Sequence, residues 1–349
     1  MKPVIFLRSL IFFLAIFSCK EKHNTPAQEE KNIEKSPQLK IKLIFDTDAN
    51  NELDDQHALA YMLLNGEVFD VKGITVNTTY NGKGIQGHYD EAERIMHLCN
   101  LKGKVPLLKG ADANFEEIAG DFDPNNYDGK EGVDFLLEET KSGNTIIVAV
   151  GKLTNIALAL KKDPTFAART KIVWLGSNYP EPGEYNQVND TISMNYVLNS
   201  PIPFEMVTVR YGKPSGTDAV AITQEEINQK MPGLGPKANT PIKGRHGGEF
   251  YTFGDYSISL FEHIFYETQI GNNPNKSRPL FDMVALAILK NPNWGSTIEI
   301  PAPILINEKW VERPNNTRKI TVWENFEREA ILEDFFKTLR NPILVNHQN

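Results

Sequence analysis

The chain has 349 residues, of which 37 are Lys or Arg and 45 are Asp or Glu, so its formal net charge is −8. This acidic balance argues against a nucleic-acid-binding protein, because binding to phosphates requires clustered basic side chains. The hydrophobic share of 40% and the charged share of 23% are those of a globular protein, which excludes wholesale disorder.

The first 18 residues have the features of a secretory signal peptide. Its apolar run, Leu10–Phe17, is too short to span a bilayer core of about 30 Å. The end of this segment, Ser18-Cys19, resembles a bacterial lipoprotein signal, which implies cleavage before Cys19 and lipid attachment to it. We therefore expect an exported protein, anchored by Cys19 to a bacterial membrane on the periplasmic face or the cell surface. An ordinary signal peptide with an accidental cysteine is the alternative.

Residues 19–40 are predicted to form a flexible tether. Nine charged residues and two prolines lie between Lys20 and Lys40, and the stretch has no aromatic side chain. Such a segment buries too little apolar surface to compensate for the entropy lost on ordering. The remainder, 41–345, shows no internal repeat and is predicted to be one catalytic domain.

From residue 41 onward, segments typical of strands alternate with segments of helical periodicity. The predicted strands are 41–45, 69–76, 145–150, 171–175 and 204–209, and the predicted helices are 57–64, 87–101, 153–160, 281–289 and 326–339. Thr145–Val150 is almost wholly apolar, as are strands buried on both faces of a parallel sheet. The alternation predicts an α/β fold with an open, mostly parallel central sheet flanked by helices.

The densest group of acidic residues follows the first predicted strand. Four aspartates and a glutamate lie between Asp46 and Asp55, at the strand end where open α/β sheets bind ligands. Carboxylates this close repel one another unless a cation or shared protons offset their charge. Hard oxygen ligands favour Ca²⁺ or Mg²⁺. The alternative is a solvated loop in which Asp54 and Asp55 interact only with the positive end of a helix.

Four motifs occur in a characteristic order along the chain. They are Asp46-Thr47-Asp48 with Asp54-Asp55, Gly151-Lys152-Leu153-Thr154-Asn155, Glu184-Tyr185-Asn186, and Pro279-Leu280-Phe281-Asp282. Together they resemble the inosine-uridine preferring nucleoside hydrolases, and the resemblance covers roughly residues 41–289. The loop Ala49–Leu53 is longer than the Pro-Gly turn of that family.

The resemblance implies Ca²⁺-dependent hydrolysis of the N-glycosidic bond of ribonucleosides to ribose and free base. It implies that Ca²⁺ is held by the side chains of Asp48, Asp55 and Asp282 and by the main-chain carbonyl of Val150. Asp48 would also be the base that removes a proton from the attacking water. The expected partner is a nucleoside, and members of the family are usually dimers or tetramers, which suggests a homodimer or homotetramer.

The resemblance also implies a set of residues that bind the ribose. Asp54, Glu184 and Asn186 would contact the sugar, and carboxylates around it would stabilise the ribosyl cation that forms as the bond breaks. Asn77 and Asn81, both after the second predicted strand, are competing candidates for one further sugar contact.

The sequence departs from the family at the residue that would protonate the leaving base. Phe281 stands where purine-active members have a histidine, and a second family histidine is replaced within 126–132. His246, in the glycine-rich stretch 245–251, is the candidate replacement, because such a stretch suits a mobile lid. An ordinary surface-loop histidine is the alternative.

Two other functions are compatible with the same residues. The string Asn51-Glu52-Leu53-Asp54-Asp55 also resembles nucleoside-hydrolase-like proteins linked to polysaccharide use, which would make the protein a glycan-directed or other glycoside hydrolase. A lipid-anchored protein that binds Ca²⁺ and a nucleoside or sugar, but has lost the acid, is the non-enzymatic alternative.

Overall fold

The computed structural model describes residues 39–264 and 276–345. The predicted signal peptide, Cys19 and all but the last two residues of the predicted tether lie outside this range. The described residues form one compact unit. Among them, no helix combines the length and apolar character needed to cross a membrane.

Strands and helices alternate along most of the described chain, as the sequence predicts. The strands are β1 (Ile41–Thr47), β2 (Phe69–Val76), β3 (Leu107–Lys109), β4 (Thr145–Ala149), β5 (Thr170–Ser177), β6 (Phe204–Thr208), β7 (Ala221–Thr223), β8 (Ile242–Lys243), β9 (Glu249–Phe250), β10 (Ser277–Pro279), β11 (Ser296–Pro301), β12 (Ile304–Ile306), β13 (Lys309–Val311) and β14 (Lys319–Glu324). The helices are α1 (Asp54–Leu63), α2 (Gly84–Leu98), α3 (Phe115–Gly120), α4 (Lys130–Glu139), α5 (Thr154–Lys162), α6 (Tyr185–Asn189), α7 (Thr191–Leu198), α8 (Gln224–Lys230), α9 (Phe253–Glu262), α10 (Phe281–Lys290) and α11 (Arg328–Arg340).

The central sheet has eight strands in the order β11-β14-β6-β5-β4-β1-β2-β3. All neighbours pair in parallel except β11, which is antiparallel to β14 at one edge. The chain moves from β1 toward one edge through β2 and β3, and then returns to the other side of β1 with β4. This reversal leaves a crevice between the carboxyl ends of β1 and β4, which is where open α/β sheets bind ligands.

Side chains along the central strands alternate between two apolar layers. Leu43 and Phe45 of β1 pack in the layer with α1, α2, α10 and α11, whereas Ile44 packs in the layer with α4, α5 and α7. The same alternation holds in β4, where Val148 and Ile147 face opposite layers. Burial on both faces explains the apolar β4 sequence and confirms the predicted open, mostly parallel α/β sheet.

Some element boundaries differ from the prediction for local reasons. α1 begins at Asp54 rather than His57, because acidic residues are favourable in the first turn of a helix. Of the eight strands in the central sheet, β3, β11 and β14 are not among the predicted elements. β3 has only three residues, and the first four residues of β11 are exposed, so neither has a clear apolar pattern.

Candidate active site

The acidic loop after β1 lies at the crevice between β1 and β4. There the carboxyl ends of several strands and the first turns of α1, α6 and α10 enclose a cavity of about 230 Å³. The cavity is lined by Asp48, Asn51, Glu52, Asp54, Asp55, Val150, Leu175, Glu184, Tyr185, Asn186, Val209, Tyr211, Arg278, Phe281 and Asp282. The tertiary structure therefore brings together predicted site residues from four separate parts of the chain.

Two helices place three of the carboxylates in this cavity. Asp54 and Asp55 lie in the first turn of α1, and Asp282 lies in the first turn of α10. Neither helix has a side-chain hydrogen bond at its N-cap residue. Both helices thus direct their positive ends toward buried carboxylates, which is the favourable orientation of the helix dipole.

These three carboxylates form a group that fits a divalent cation. Asp54, Asp55 and Asp282 are buried. One carboxylate oxygen from each residue lies within 4.8 Å of the corresponding oxygens of the other two. Carboxylate oxygens alone suit a hard cation such as Ca²⁺ or Mg²⁺. The group differs from the predicted ligand set, because it contains Asp54, which was assigned to the sugar, in place of Asp48.

Asp48 and Val150 line the same cavity beside this group. Thr79 donates a hydrogen bond of 2.5 Å to Asp48 Oδ2. The Val150 carbonyl accepts a hydrogen bond of 2.7 Å from Asn186 Nδ2, and one lone pair of that carbonyl remains for another partner. Thr79 fixes the Asp48 carboxylate, and Asn186 fixes the end of β4.

Burial and like charges dominate the electrostatics of the cavity. Burial raises the pKa of Asp48, Asp54 and Glu184 to about 7. Burial, together with the charge of neighbouring carboxylates, holds the pKa of Asp55 and Asp282 well above the usual range. Buried carboxylates this close repel one another, so the site favours any cation that neutralises them.

The sugar-binding candidates Glu184 and Asn186 flank the carboxylates at the start of α6. Glu184 is the N-cap of α6 and accepts a hydrogen bond of 2.8 Å from the Gln187 amide. Asn186 Oδ1 is buried and has no hydrogen-bond partner among the described residues. A buried acceptor without a partner is costly, so Asn186 can accept a hydrogen bond from a hydroxyl group of a ligand in the cavity.

Asn77 and Asn81, the alternative sugar contacts, lie outside the cavity lining. Asn77 is fully buried and donates a hydrogen bond of 2.7 Å to Asp46 Oδ1. Asp46 also accepts hydrogen bonds from Thr75 and Asn155. These hydrogen bonds hold the end of β1 in place, and Asn77 is therefore a structural residue next to the cavity lining. Asn81 is exposed and lines a neighbouring cavity.

His246 also lies outside the carboxylate cavity. Its ring stacks on His263 with 3.5 Å between ring centroids. Both histidines line a neighbouring cavity that shares only Asn51 and Glu52 with the carboxylate cavity. The structure thus does not place His246 among the residues that it was predicted to assist, because the turn between β8 and β9 packs toward α9.

Sequence reasoning missed several residues of the cavity. Tyr211 packs edge-on against Phe281, with 5.9 Å between ring centroids. The Arg278 guanidinium lies 5.0 Å from the centroid of the Phe281 ring. Arg278 stands three residues before Phe281, where the sequence departs from the family, and this proximity was the only available signal.

His88 supports the acidic loop from α2. Its Nδ1 accepts a hydrogen bond of 3.1 Å from the Asn50 amide, and its Nε2 donates one of 3.1 Å to the Asn81 carbonyl. These partners satisfy a neutral imidazole completely, since protonated Nδ1 could not accept. Burial lowers the pKa of His88 from 6.5 to about 4.

We expect His88 to make stability depend on pH. The unfolded chain protonates this histidine below about pH 6.5, whereas the folded chain does so only near pH 4, so stability is lost as the pH falls between these values. The difference in unfolding free energy between the wild type and His88→Gln should shrink by about 2 kcal/mol from pH 7.5 to pH 5. Urea unfolding at both pH values measures this difference in unfolding free energy. His97→Gln, on the same helix, is the control. A difference that does not change with pH would contradict this role.

Comparison with known proteins agrees with this architecture. The sequence model of the inosine-uridine preferring nucleoside hydrolase family matches residues 43–332. A plant nucleoside hydrolase structure superimposes with a TM-score of 0.67 at 18% identity, covering 86% of this chain and 99% of that chain. The purine-preferring ribonucleoside hydrolase from Gardnerella vaginalis gives a TM-score of 0.63 at 21% identity, covering 86% and 98%. At these identities the structures show a shared fold.

Sequence relatives with curated names match over a shorter region. The probable uridine nucleosidase 2 of Arabidopsis thaliana is 29% identical over 178 residues, which is 43% of this chain and 51% of the relative. Uridine nucleosidase 1 of Arabidopsis thaliana is 30% identical over 169 residues, which is 42% and 47%. The chain spans about half the length of the curated relatives it matches. The family match, by contrast, extends from β1 into α11, and the chain belongs to the inosine-uridine preferring nucleoside hydrolase family.

Proposed function

We propose that this protein hydrolyses the N-glycosidic bond of nucleosides to a free sugar and a free base, with Ca²⁺ as its cofactor. The observation that carries the proposal is the convergence of five buried carboxylates on one cavity at the switch point of the sheet. A dense group of carboxylates suits a reaction in which positive charge develops on a sugar ring. Family membership and the names of the curated relatives support the same reaction.

The residues of the carboxylate group and those beside it have different roles in this reaction. Asp48, held by Thr79, takes a proton from the water that attacks C1′ of the sugar. Glu184 and Asn186 bind sugar hydroxyls from the start of α6. Ca²⁺ would be held by Asp55 and Asp282, with Asp54, Asp48 and the Val150 carbonyl as further oxygen ligands at the same place. When bound, the cation supplies positive charge that lowers the pKa of nearby water.

The C1′–N bond then breaks with its electron pair passing to the base. The carboxylates of Asp48 and Glu184 stabilise the positive charge that develops on the ring oxygen and C1′. The water oxygen forms the new bond to C1′, and its proton leaves through Asp48. The base, which departs with the electron pair, gains a proton before or after it leaves the site.

The test is sugar release from a panel of ribonucleosides and aryl glycosides, with and without a chelator. We expect release from at least one nucleoside and its loss in chelator. Release from aryl glycosides or glycans alone would favour the glycan-directed alternative. Calorimetric binding of Ca²⁺ and a nucleoside without any sugar release would identify a binding protein.

We also propose that the protein is exported and anchored through lipid on Cys19. Support comes from the apolar run and from the Ser18-Cys19 pair at its end. Cys19→Ser should leave the precursor without lipid and shift the protein from the membrane fraction to the soluble fraction. Mass spectrometry of the native protein decides the point, since an unmodified Cys19 or cleavage elsewhere would contradict the anchor.

A further inference from the structure

The cavity has two chemically different parts. One part is the buried carboxylate group, which the proposed reaction uses for water, cation and sugar. The other consists of Arg278, Phe281 and Tyr211, which contact one another in a row: the guanidinium packs on the Phe281 ring, and the Tyr211 ring meets its edge. Tyr211 is 43% exposed, so this aromatic and basic part extends to the mouth of the cavity. A ligand with its sugar on the carboxylates would place its aglycone in this second part.

Arg278 is the one basic side chain among the described residues that line this cavity. Its side chain is only 11% exposed and forms an ion pair with Glu52, which also lines the cavity. Its Nε atom is buried and has no hydrogen-bond partner in the described part of the chain. A buried donor without a partner costs free energy unless a ligand satisfies it. Glu52 and Phe281 hold the guanidinium in place while part of its donor set stays available.

We propose that Arg278 binds the leaving base and stabilises it as an anion, so that the enzyme selects bases whose ring carbonyl oxygens carry the negative charge, as in uracil. The inference rests on the proposed N-glycosidic hydrolysis. As the C1′–N bond breaks, its electron pair moves onto the ring nitrogen and is delocalised onto the carbonyl oxygens conjugated with it. The guanidinium donates hydrogen bonds to those oxygens, and the released anion takes its proton from solvent.

The chemistry of the guanidinium separates this role from that of a general acid. Burial lowers the pKa of Arg278 to about 10, so the group stays charged near neutral pH and does not give up a proton. Arginine presents only donors, in a planar fork that suits paired oxygen acceptors. Cytosine keeps the carbonyl at C2 but has an amino group where uracil has its C4 carbonyl, so at that position the guanidinium donors would face another donor. The arrangement therefore explains how Phe281 can occupy the position of the family's histidine without loss of leaving-group stabilisation.

Substitution of Arg278 tests this role through its dependence on the leaving group. Arg278→Gln should lower kcat/KM for uridine by about 10²-fold or more, the effect of removing a donor to developing negative charge. The same change should lower kcat/KM for p-nitrophenyl riboside by less than about 5-fold, because p-nitrophenolate leaves without assistance. Added guanidinium should partly restore uridine hydrolysis by Arg278→Gln. Uracil, measured by calorimetry, should bind the variant more weakly than the wild type.

Two further variants serve as comparisons. Arg278→Lys keeps a positive charge but loses the planar fork of donors. Its kcat/KM for uridine should therefore lie between the values of the wild type and of Arg278→Gln. Arg169→Gln is the matched control, because Arg169 also forms an ion pair with a carboxylate, 2.8 Å from Asp163, but lies next to the amino end of β5, away from the carboxyl ends that form the cavity. Its kinetics should match those of the wild type on both substrates.

The outcomes distinguish failure of this inference from failure of the proposed function. Equal losses on uridine and p-nitrophenyl riboside, or uracil binding that does not change in Arg278→Gln, would overturn the role of Arg278 alone. If kcat/KM for uridine fell in His246→Ala but not in Arg278→Gln, the role of Arg278 would be overturned and His246 would be identified as an acid. A wild-type protein that hydrolyses other nucleosides of the panel but not uridine would overturn the selection of uracil, whereas one that releases sugar from no nucleoside would contradict the proposed function itself.

Discussion

Asp48→Asn is expected to lower kcat by about 10³-fold or more on every substrate that the enzyme accepts. General-base assistance is typically worth ~10²–10⁴-fold, and the substitution also removes one negative charge from beside the developing sugar cation. Asparagine has the same shape as aspartate and can still accept the hydrogen bond from Thr79. The loss should therefore reflect chemistry rather than misfolding. Steady-state kinetics on an activated riboside measure it, because that substrate needs no assistance to its leaving group.

The control for this experiment is Asp121→Asn, which alters an exposed carboxylate outside the cavity lining. Circular dichroism and the urea midpoint of Asp48→Asn should stay close to those of the wild type. Activity within about 10-fold of the wild type would contradict the assignment of Asp48 as the base, since a working general base contributes more than that.

Asp282→Asn is expected to abolish Ca²⁺ binding and, with it, almost all turnover. The three carboxylates Asp54, Asp55 and Asp282 repel one another when no cation is bound, and burial strengthens that repulsion. Removing one charge should thus make the calcium-free variant at least as stable as the calcium-free wild type. Ca²⁺ at about 100 times its Kd should stabilise the wild type by about 2.7 kcal/mol and the variant by much less. With Ca²⁺ added, the variant should unfold at a lower temperature than the wild type, whereas in chelator its midpoint should be equal or higher.

Thermal unfolding with chelator and with Ca²⁺ gives both midpoints, and calorimetric titration gives the affinity directly. Asp255→Asn is the matched control, because Asp255 also lies in the first turn of a helix, α9, but outside the cavity lining. It should respond to Ca²⁺ as the wild type does. If Asp282→Asn bound Ca²⁺ with unchanged affinity, the cation site would have to be elsewhere.

The sequence by itself predicted the strands that carry the site and most of its polar residues. The central strands β1, β2, β4, β5 and β6 are buried on one or both faces, so their apolar runs are distinct in the sequence. Because the carboxyl ends of parallel strands meet at one edge of a sheet, residues just after β1, such as Asp48, were predictable as site residues. The edge strands β3 and β11 are short or exposed and have no such pattern, and they were missed for that reason. The prediction also missed β14, an interior strand in which three of six residues are buried.

Only the tertiary structure decided which distant residues share the cavity. Packing of α10 against α1 brings Asp282 to Asp54 and Asp55 and carries Arg278 with it, although more than 200 residues separate them. Apart from its position three residues before Phe281, nothing in the local sequence indicates that Arg278 lines the cavity while His246 stacks on His263 in the neighbouring one. Local patterns determine the face or end of an element on which a side chain lies. The distance between two such faces depends on how the helices pack across the sheet, and that packing is a property of the whole core.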